Sequence, residues 1–485
     1  MRLNNEFILK QRPSFKLFTK EQLDKIHRGA VEVLERTGVE VVSEEAKDIL
    51  AGAGAKVSGN RVRIPDYLIE ESLRTAGKKL VVYNRNGDRA LFLEGDNVYF
   101  GPGSETPYTI DIDSGKRRQA VKKDVINAAR VVDSLSNIDF VMSFALASDT
   151  GEKVADHHHF DAMVKNTTKP ILYTAWDVGG LETIFEIAKV AAGGEETLKE
   201  KPFMLQYIEP ISPLKHPKRD TTDKLFYCVD NDLPAMYVPS PSIGGTSPVT
   251  PAGGFVLNTA DYLVGLVLSQ IRKPGYTLVY GGGPTTLDMK TSNFCYGAPE
   301  TFLGRAIRKE IAAYYGIPVF STGGCTDAKE VDTQAGAEAA NSLLMSALSG
   351  ANLIHDVGYM DSGMTSSLQF LTICNDIIGS VKRMLNNIEV SEETLAIDLI
   401  DKVGPGGTFL NTRHTVDQFR ERVWAPDIME RDSYDGWMDR GSKSIKEKAT
   451  EKVKGILKNK KPNVLDEDKV KEINEIVDKA DQQRG

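Results

Sequence analysis

Short apolar runs recur along the middle of this 485-residue chain, and each is followed by a polar or glycine-rich loop and then by a stretch with helical periodicity. Neighbouring runs lie roughly 30 to 42 residues apart, which is the length of one strand–loop–helix unit. Strands that alternate with helices pair in parallel through right-handed crossovers. The runs that we predict to be strands are 98–100, 140–146, 171–174, 203–208, 235–238, 277–280, 319–321 and 353–355.

Eight such units predict an α/β protein with a closed (β/α)8 barrel, the TIM-barrel architecture, over residues 96–387. An open doubly wound sheet is the alternative, although no Gly-x-Gly-x-x-Gly motif follows an early strand. Residues 1–95 begin with a helical pattern that Thr19 can cap, followed by short strand and helix patterns, so we predict an N-terminal α+β cap. Residues 388–485 are highly charged with sparse apolar positions, which predicts a C-terminal helical extension.

Charge and composition argue against nucleic-acid binding, membrane association and structural zinc. The formal net charge of -8 argues against nucleic acid as the main partner. No apolar run approaches the roughly 18 residues that span a bilayer, and the N-terminus has no apolar signal core, so we expect no membrane association. Cys228, Cys295, Cys325 and Cys374 show no Cys-x-x-Cys spacing, which predicts reduced thiols in a cytoplasmic protein without structural zinc.

Aromatic residues recur at the predicted strand ends, where barrel enzymes place their active sites. Aromatic faces attract a cation by about 0.5–2 kcal/mol each, so this composition suits a cage for a quaternary ammonium group. Tyrosine and tryptophan are also common in strands for packing reasons, so the pattern leaves both interpretations open. The candidate substrate-binding residues are Tyr99, Phe100, Tyr173, Trp176, Glu209, Tyr280, His355 and Tyr359, and Tyr207 and Tyr237 belong to the same pattern.

Two candidates carry acid–base or ionic chemistry. His355 ends a predicted strand and precedes Asp356, which can fix its tautomer. Such a histidine can bind a substrate carboxylate or act as a base, and it can equally be a core residue. Glu209 can face a ligand cation, or it can hold a backbone amide or an arginine.

Three further features have simpler interpretations. The run His157-His158-His159 has the composition of a metal site, but neighbours on a helix point in different directions. At most one of them is therefore expected to join another residue as a ligand, and we expect no metal. The glycines at 281–283 suit a strand-exit turn better than a phosphate loop, because no lysine follows at the required spacing. Cys325 is interpreted as a packing residue rather than a nucleophile.

Several motifs resemble those of the trimethylamine methyltransferase family. They are Ser-Thr-Gly-Gly-Cys-Thr-Asp-Ala at 321–328, Ile-His-Asp-Val-Gly at 354–358 and Val-Gly-Pro-Gly-Gly at 403–407. His414-Thr415 with Phe419-Arg420 and Trp424, and the N-terminal Thr-Gly-Val-Glu-Val at 37–41, extend the resemblance over nearly the whole chain.

The resemblance implies a TIM barrel that moves a methyl group from a methylated amine to the cobalt of a separate corrinoid protein. Family members specific for trimethylamine carry pyrrolysine in the loop that matches 323–329, whereas this chain has standard residues there, including Gly324, Cys325, Thr326 and Asp327. It therefore resembles the branch without pyrrolysine, which acts on quaternary amines such as glycine betaine, carnitine and proline betaine. The expected partners are the cognate corrinoid protein, which supplies the corrinoid cofactor, and further copies of this chain in a homo-oligomer.

The absence of pyrrolysine agrees with the chemistry of a quaternary amine. Its nitrogen already carries a positive charge, so the leaving group is a neutral tertiary amine. The protein then has to orient the N–CH3 bond and exclude water. The alternatives are a methyltransferase for another methylated amine, a barrel lyase or hydrolase that uses His355 and Glu209, and a non-catalytic binder of osmolytes. No Asp-x-His-x-x-Gly corrinoid motif occurs in the chain, so we expect it to bind no cofactor itself.

Overall fold

Thr19 caps the first helix of the computed structural model, which describes residues 13–386, 388–459 and 465–485. Its side-chain oxygen accepts the Gln22 backbone N–H at 3.3 Å, and the Gln22 side chain accepts the Thr19 N–H in return. This capping box confirms the predicted start of the helix. The N-terminal elements are α1 (Lys20–Glu32), β1 (Val39–Val41), α2 (Glu44–Gly52), β2 (Lys56–Ser58), β3 (Arg61–Arg63), α3 (Asp66–Thr75), β4 (Leu80–Tyr83) and β5 (Arg89–Leu93).

A small mixed sheet ties the N-terminal segment to the centre of the chain. Strands β2, β3 and β1 pair antiparallel, and β11 (Lys215–His216) joins β1 in parallel, with Val41 opposite His216. The division at residue 95 stays a prediction.

The centre of the chain alternates strands and helices, as the sequence predicts. The strands are β6 (Tyr99–Phe100), β7 (Tyr108–Ile110), β8 (Arg117–Gln119), β9 (Ile171–Tyr173), β10 (Met204–Ile208), β12 (Ala235–Tyr237), β13 (Ser242–Ile243), β14 (Leu278–Tyr280), β15 (Thr285–Thr286), β16 (Phe320–Thr322), β17 (Leu353–His355), β18 (Tyr359–Met360) and β19 (Thr365–Ser366). The helices are α4 (Lys122–Ser134), α5 (Ala155–Asn166), α6 (Val178–Ala192), α7 (Glu195–Glu200), α8 (Asp223–Asp230), α9 (Pro251–Arg272), α10 (Pro299–Tyr315), α11 (Thr333–Ser349) and α12 (Leu368–Leu385).

The main strands form two parallel sheets with the orders β14-β12-β10-β9 and β16-β17-β6. A single parallel bridge between Tyr280 and Val319 joins β14 to the start of β16. Another bridge pairs Val141 with Ile171, and the Asp139 N–H donates to the Phe100 carbonyl at 2.6 Å. These pairings confirm an α/β fold with parallel strands. Closure into a (β/α)8 barrel stays a prediction.

The predicted strand at 140–146 is wrong beyond its first residues. Only Val141 makes a strand bridge there, and the chain turns at Phe144, which has a φ of 64°. A β-strand cannot continue through a positive φ. The apolar run therefore ends early, and Phe144 packs on the Tyr359 ring with 5.8 Å between the ring centroids.

A buried cluster between the parallel strands receives one or two side chains from each of them. The hairpin of β4 and β5 contributes Val82, Leu91 and Leu93 to the same cluster. Its strand members are Phe140, Met142, Leu172, Leu205, Met236, Val238, Val279, Phe320 and Leu353. The hairpin, which the sequence assigns to the N-terminal cap, therefore packs against the inner faces of the strands.

The C-terminal part is helical. Its helices are α13 (Glu392–Leu395), α14 (Ile397–Val403), α15 (Arg413–Arg422), α16 (Tyr434–Asp439), α17 (Ile445–Asn459) and α18 (Glu467–Arg484). Helix α17 packs on α12 and α4, and α18 packs on α6 and α5. In contrast, α13 to α16 bury no side chain against the rest of the described chain.

Helix α9 differs from the expectation that no segment is long and apolar enough to cross a bilayer. It is the one helix in the described residues with sufficient length and composition, but 83% of its apolar window is buried inside the fold. An inner helix of a globular protein meets the same criteria, so this helix is no argument for a membrane span.

Candidate active site

The loops after the parallel strands enclose a cavity of about 300 Å³, which lies at the lower end of the range for small-molecule pockets. Residues just beyond β10, β12, β14 and β17 contribute to its wall, so it opens at the carboxyl ends of the strands. The lining residues are Ser104, Glu105, Tyr207, Glu209, Val238, Ser240, Gly282, Thr285, Phe294, Tyr296, Thr301, Arg305, Arg308, Thr322, His355, Asp356, Tyr359 and Gly363.

The aromatic part of the lining comes from Tyr207, Phe294, Tyr296 and Tyr359. The Tyr207 ring packs edge-on against Phe320, with the ring centroids 5.8 Å apart. The Tyr359 hydroxyl donates to the Ser104 carbonyl. These contacts fix ring positions before any ligand binds, which suits cation–π recognition.

Three of the eight predicted binding residues, Glu209, His355 and Tyr359, line this cavity. Their proposed roles in binding stay predictions. Tyr207, which belongs to the same aromatic pattern, lies with them, and its hydroxyl donates to Glu209 Oε2 at 3.4 Å. The structure thus brings together the acid, the histidine and two of the aromatics.

The other five predicted residues do not line this cavity, and their roles in substrate binding stay predictions. Because side chains alternate along a strand, Tyr173 and Tyr280 point to the helical layer, where they meet Phe160 and Tyr262. Phe100 is fully buried in the main core.

Tyr99 and Trp176 are displaced for other reasons. Tyr99 begins β6 rather than ending it, and its hydroxyl accepts the Phe92 N–H at 3.1 Å. Trp176 lies under Arg219, whose guanidinium carbon is 4.7 Å from the ring centroid. Tyr237 of the same aromatic pattern is also buried, with its hydroxyl 2.6 Å from His216 Nδ1.

Two carboxylates of the lining differ in their surroundings. Burial opposes the ionisation of Glu105, but His159 and the hydroxyls of Thr174 and Ser143 stabilise its charge and lower its pKa to about 2. The two hydroxyls donate to Glu105 Oε1 at 2.7 and 2.8 Å. Desolvation by the surrounding protein raises the pKa of Glu209, although its side chain remains open to the cavity and hydrogen bonds from Ser240 and Tyr207 oppose the shift.

His355 and Asp356 are neighbours in the chain whose side chains contact each other in the cavity wall. The Ser321 carbonyl lies 2.7 Å from His355 Nδ1, so this nitrogen carries a proton and donates. The other nitrogen, Nε2, is 3.2 Å from Asp356 Oδ1. Burial lowers the pKa of His355 and raises the pKa of Asp356. The sequence-based expectation that Asp356 fixes the tautomer is therefore wrong, because the Ser321 carbonyl does so.

Two arginines of the lining, Arg305 and Arg308, had no place in the sequence prediction, because they belong to helix α10 rather than to a strand end. Both are almost fully buried, with exposed fractions of 1% and 5%. Burial and the neighbouring Arg305 lower the pKa of Arg308 to about 10. One sequence signal could have identified these arginines. They lie three residues apart, on the same helix face as the small or apolar residues Gly304 and Ile311.

The loop 324–327 lies behind the cavity wall. Burial raises the pKa of Cys325 to about 12, so its thiol is protonated at neutral pH and is no nucleophile. Asp327 accepts the backbone N–H groups of Tyr296 at 2.9 Å and Gly297 at 2.8 Å. Thr326 donates to Glu338 Oε2. The loop therefore holds the segment that carries Tyr296 against the cavity.

The histidine run corrects one expectation. His157 and His158 both reach Asp481 of α18, at 2.8 and 3.1 Å from Nε2 to Oδ1, so two neighbours converge on one carboxylate. This arrangement is possible because Asp481 lies between their directions on α5. Lys122 Nζ lies 2.9 Å from His158 Nδ1, where it donates to the ring nitrogen. The side chains of His157, His158 and Asp481 could hold a metal ion by geometry alone. They lie between helices α5 and α18 and do not line the cavity.

Comparisons with known proteins agree with the geometry. Residues 2–485 match the family described as trimethylamine methyltransferase (MTTB). The trimethylamine methyltransferase MttB of Methanosarcina barkeri (strain Fusaro / DSM 804) is 34% identical over 475 residues, which cover 96% of this chain and 95% of that protein. The glycine betaine methyltransferase of Desulfitobacterium hafniense (strain Y51) is 30% identical over 457 residues, with coverage of 94% and 95%.

The fold is also similar to that of a solved structure. The monomethylamine methyltransferase MtmB of Methanosarcina barkeri superposes with a TM-score of 0.53 at 13% identity, over 99% of this chain and 90% of that one. At this identity the likeness concerns the fold alone. From the match over the whole length and the relatives at 30% and 34% identity, the chain belongs to the trimethylamine methyltransferase family, and its standard residues at 323–329 agree with the branch without pyrrolysine.

Proposed function

We propose that this protein transfers a methyl group from a quaternary amine of the glycine betaine, carnitine or proline betaine type to Co(I) of a separate corrinoid protein. The observation that carries the proposal is a small cavity whose lining combines fixed aromatic rings with ionisable carboxylates. Such a lining stabilises a permanent cation that cannot donate a hydrogen bond. Membership of the family supports methyl transfer as the reaction.

We assign the cation end of the cavity to Glu209 and Tyr207, which are joined by a hydrogen bond of 3.4 Å. Glu209 is open to the cavity, and its carboxylate accepts a hydrogen bond from the Tyr207 hydroxyl. A trimethylammonium group between these side chains gains from the charge of Glu209 and from the ring faces. The aromatic rings also displace water from the methyl groups.

The chain's residues act by position rather than by proton transfer. A methyl group leaves a quaternary nitrogen without its bonding electrons, which stay on nitrogen, and the departing tertiary amine is neutral. A reduced corrinoid supplied by the partner offers the nucleophilic cobalt that accepts the methyl group. Orientation of the N–CH3 bond toward the cavity mouth and exclusion of water are then the contributions of this protein.

We further infer the setting of this reaction. The ring of strand pairings from β6 through β14 to β17, with the buried cluster inside it, supports a closed barrel as the scaffold. We also propose a cytoplasmic location, a cap over residues 1–95, a helical extension over 388–485, and no cofactor bound by the chain itself.

A panel of methylated amines tests the proposal. The purified chain is mixed with a reduced corrinoid protein and with glycine betaine, carnitine, proline betaine or trimethylamine, and the Co(I) absorbance is followed. We expect loss of Co(I) with at least one quaternary amine and not with trimethylamine. Loss with trimethylamine alone, or with no amine of the panel, contradicts the proposal.

A lyase or hydrolase is the second candidate, because His355 and Glu209 line the same cavity. A reaction of that kind moves protons, so its rate follows a bell-shaped pH profile set by these two groups. Methyl transfer from a quaternary amine needs no such profile. The pH dependence of turnover therefore separates the two candidates.

A further inference from the structure

Two arginines enter the cavity from the same helix wall. Arg305 and Arg308 lie on α10, behind the loop that follows β14. The close approach of Arg308 depends on Gly283, because a Cβ atom there would lie 2.1 Å from Arg308 Nε. The backbone of this loop thus leaves room for a guanidinium at the cavity wall.

Most hydrogen-bonding capacity of these arginines is unused. Arg305 Nη2 lies 3.2 Å from Cys325 Sγ, and Arg308 Nη1 lies 3.2 Å from Thr322 Oγ1. Arg305 Nε, Arg305 Nη1 and Arg308 Nε have no hydrogen-bond partner among residues 13–386, 388–459 and 465–485. A guanidinium has five N–H donors, and burying them without acceptors is costly. The Arg305 guanidinium carbon also lies 5.5 Å from the Tyr296 ring centroid and 5.6 Å from that of Phe302, but ring faces do not accept N–H groups as a carboxylate does.

We propose that Arg305 and Arg308 form an anion subsite for the carboxylate of the substrate, so that the protein requires an amine that carries both a quaternary nitrogen and a carboxylate. This inference rests on the proposed function and narrows it. Arginine is suited to the role, because its planar guanidinium matches the two oxygens of a carboxylate.

The other charged groups of the cavity support a ligand with two opposite charges. The charges of Arg305 and Arg308 both act on Asp356, but within the described residues the ion-pair partner of Asp356 is His355 rather than either arginine. Its raised pKa reflects burial, and one acid cannot balance two guanidinium groups. Glu105 and Glu209 supply negative charge to the same lining. A zwitterion can therefore be matched at both of its ends in this cavity.

Three small molecules separate the subsite from the cation site. Glycine betaine carries both charges, choline lacks the carboxylate, and 3,3-dimethylbutyrate keeps the carboxylate but replaces the charged nitrogen with carbon. Isothermal titration of the full chain should show the tightest binding for glycine betaine. We expect choline to bind about 10- to 100-fold more weakly, the scale of lost charged hydrogen bonds. Choline binding as tight as glycine betaine binding overturns the inference.

Substitutions assign the effect to the arginines. Arg308→Gln should remove most of the difference between glycine betaine and choline, whereas Arg308→Lys should retain part of it. Arg272→Gln, at a surface arginine paired with Asp230 and Glu45, is the matched control and should change neither affinity. A preserved glycine betaine preference in a folded Arg305→Gln/Arg308→Gln double variant contradicts the subsite.

Methyl transfer itself distinguishes failure of the subsite from failure of the proposed function. Transfer from choline to the corrinoid at the glycine betaine rate refutes the subsite and leaves the methyltransferase proposal intact. Absence of transfer from every quaternary amine, with glycine betaine still bound through the arginines, refutes the methyltransferase proposal instead.

A second inference comes from residues 388–423, here called the arm. Helices α13, α14 and α15 lie in the arm and bury no side chain against the part of the chain that the structure describes. Several apolar side chains of the arm are instead more than half exposed, among them Ile388, Val390, Ile397, Leu410, Val416 and Val423. Helices of 4, 7 and 10 residues are marginal without packing, and a cluster of exposed apolar residues is typical of an interaction surface.

The charges of the arm indicate what covers it. Residues 389–401 carry only acids, namely Glu389, Glu392, Glu393, Asp398 and Asp401. Residues 402–422 carry four bases, Lys402, Arg413, Arg420 and Arg422, against two acids. Within the arm Arg422 pairs with Glu389 at 3.2 Å and Arg413 with Asp417 at 3.3 Å, which leaves Lys402 and Arg420 for the acids of another arm. A two-fold contact places the acidic half of one arm on the basic half of another. We propose that the arm binds the arm of a second copy of this chain.

Sedimentation of the full-length chain tests this contact. The wild type should sediment as a dimer or a larger multiple, and Ile397→Asp/Leu410→Asp should sediment as a smaller species with an unchanged circular dichroism spectrum. Val42→Asp, at an exposed apolar residue outside the arm, is the control and should keep the wild-type size. A monomeric wild type, or an arm variant of wild-type size, overturns the inference.

Discussion

The charge of Glu209 can be removed with little change in shape. Glu209→Gln keeps the side-chain length and an acceptor for the Tyr207 hydroxyl, which lies 3.4 Å from Oε2. A unit charge about 5 Å from a substrate cation contributes roughly 3 kcal/mol at an effective dielectric constant of about 20, and roughly 1 kcal/mol in water. Because Glu209 is open to the cavity, the expected loss lies between these limits, about 1–3 kcal/mol.

This loss corresponds to a rise in KM for glycine betaine of about 5- to 150-fold. The assay is the fall of Co(I) absorbance at varied amine concentration, with circular dichroism to verify folding. Glu209→Asp, which keeps the charge, should show a smaller rise. An unchanged KM in a folded Glu209→Gln variant refutes the assignment of Glu209 to the cation end.

The same residue predicts a pH dependence. Desolvation raises the pKa of Glu209, so in the free enzyme the carboxylate becomes protonated above its ordinary value of about 4.3 as the pH falls. Amine binding that uses the charge is therefore complete at high pH and lost as the pH falls through the raised pKa. Glu209→Gln should lack this step, and a wild-type step that persists in the variant contradicts the assignment.

Three further variants test other parts of the site. His355→Ala should weaken substrate use by about 1.5–3 kcal/mol in kcat/KM, the scale of a hydrogen bond to a charged group, and unchanged kinetics would exclude that role. Gly283→Ala places a Cβ atom 2.1 Å from Arg308 Nε at a backbone φ of 136°. It should lower both the midpoint of urea unfolding and the affinity for glycine betaine, and wild-type values of both would contradict this expectation. Asp327→Ala removes the acceptor of the Tyr296 and Gly297 N–H groups and should lower the free energy of unfolding by about 2–4 kcal/mol. A loss below about 1 kcal/mol would show that other contacts hold the loop.

The repeat of apolar runs and helical stretches was sufficient to predict the parallel α/β fold, because both periodicities are local properties of the sequence. The predicted strand at 140–146 ends early because the chain turns at Phe144, which has a positive φ and packs its ring against Tyr359. Phenylalanine itself gives no local signal for such a conformation.

The sequence predicted where along the chain the candidate site residues lie, but not which way their side chains point. Glu209, His355 and Tyr359 follow strands and face the cavity, whereas Tyr173 and Tyr280 occupy similar positions and face the helices. A shift of one residue in strand register reverses the face, and the register is set by partners distant in sequence. Arg305 and Arg308 were missed for a related reason, since a helix that packs on a strand can direct long side chains past its end.

The most direct measurement follows the methyl group itself. Glycine betaine labelled with 13C in its methyl groups is incubated with the purified chain, with and without a reduced corrinoid protein, and the products are analysed by mass spectrometry. The account predicts one labelled methyl on the corrinoid for each dimethylglycine formed, and no dimethylglycine when the corrinoid protein is absent. Demethylation by the chain alone, or dimethylglycine without labelled corrinoid, would contradict it.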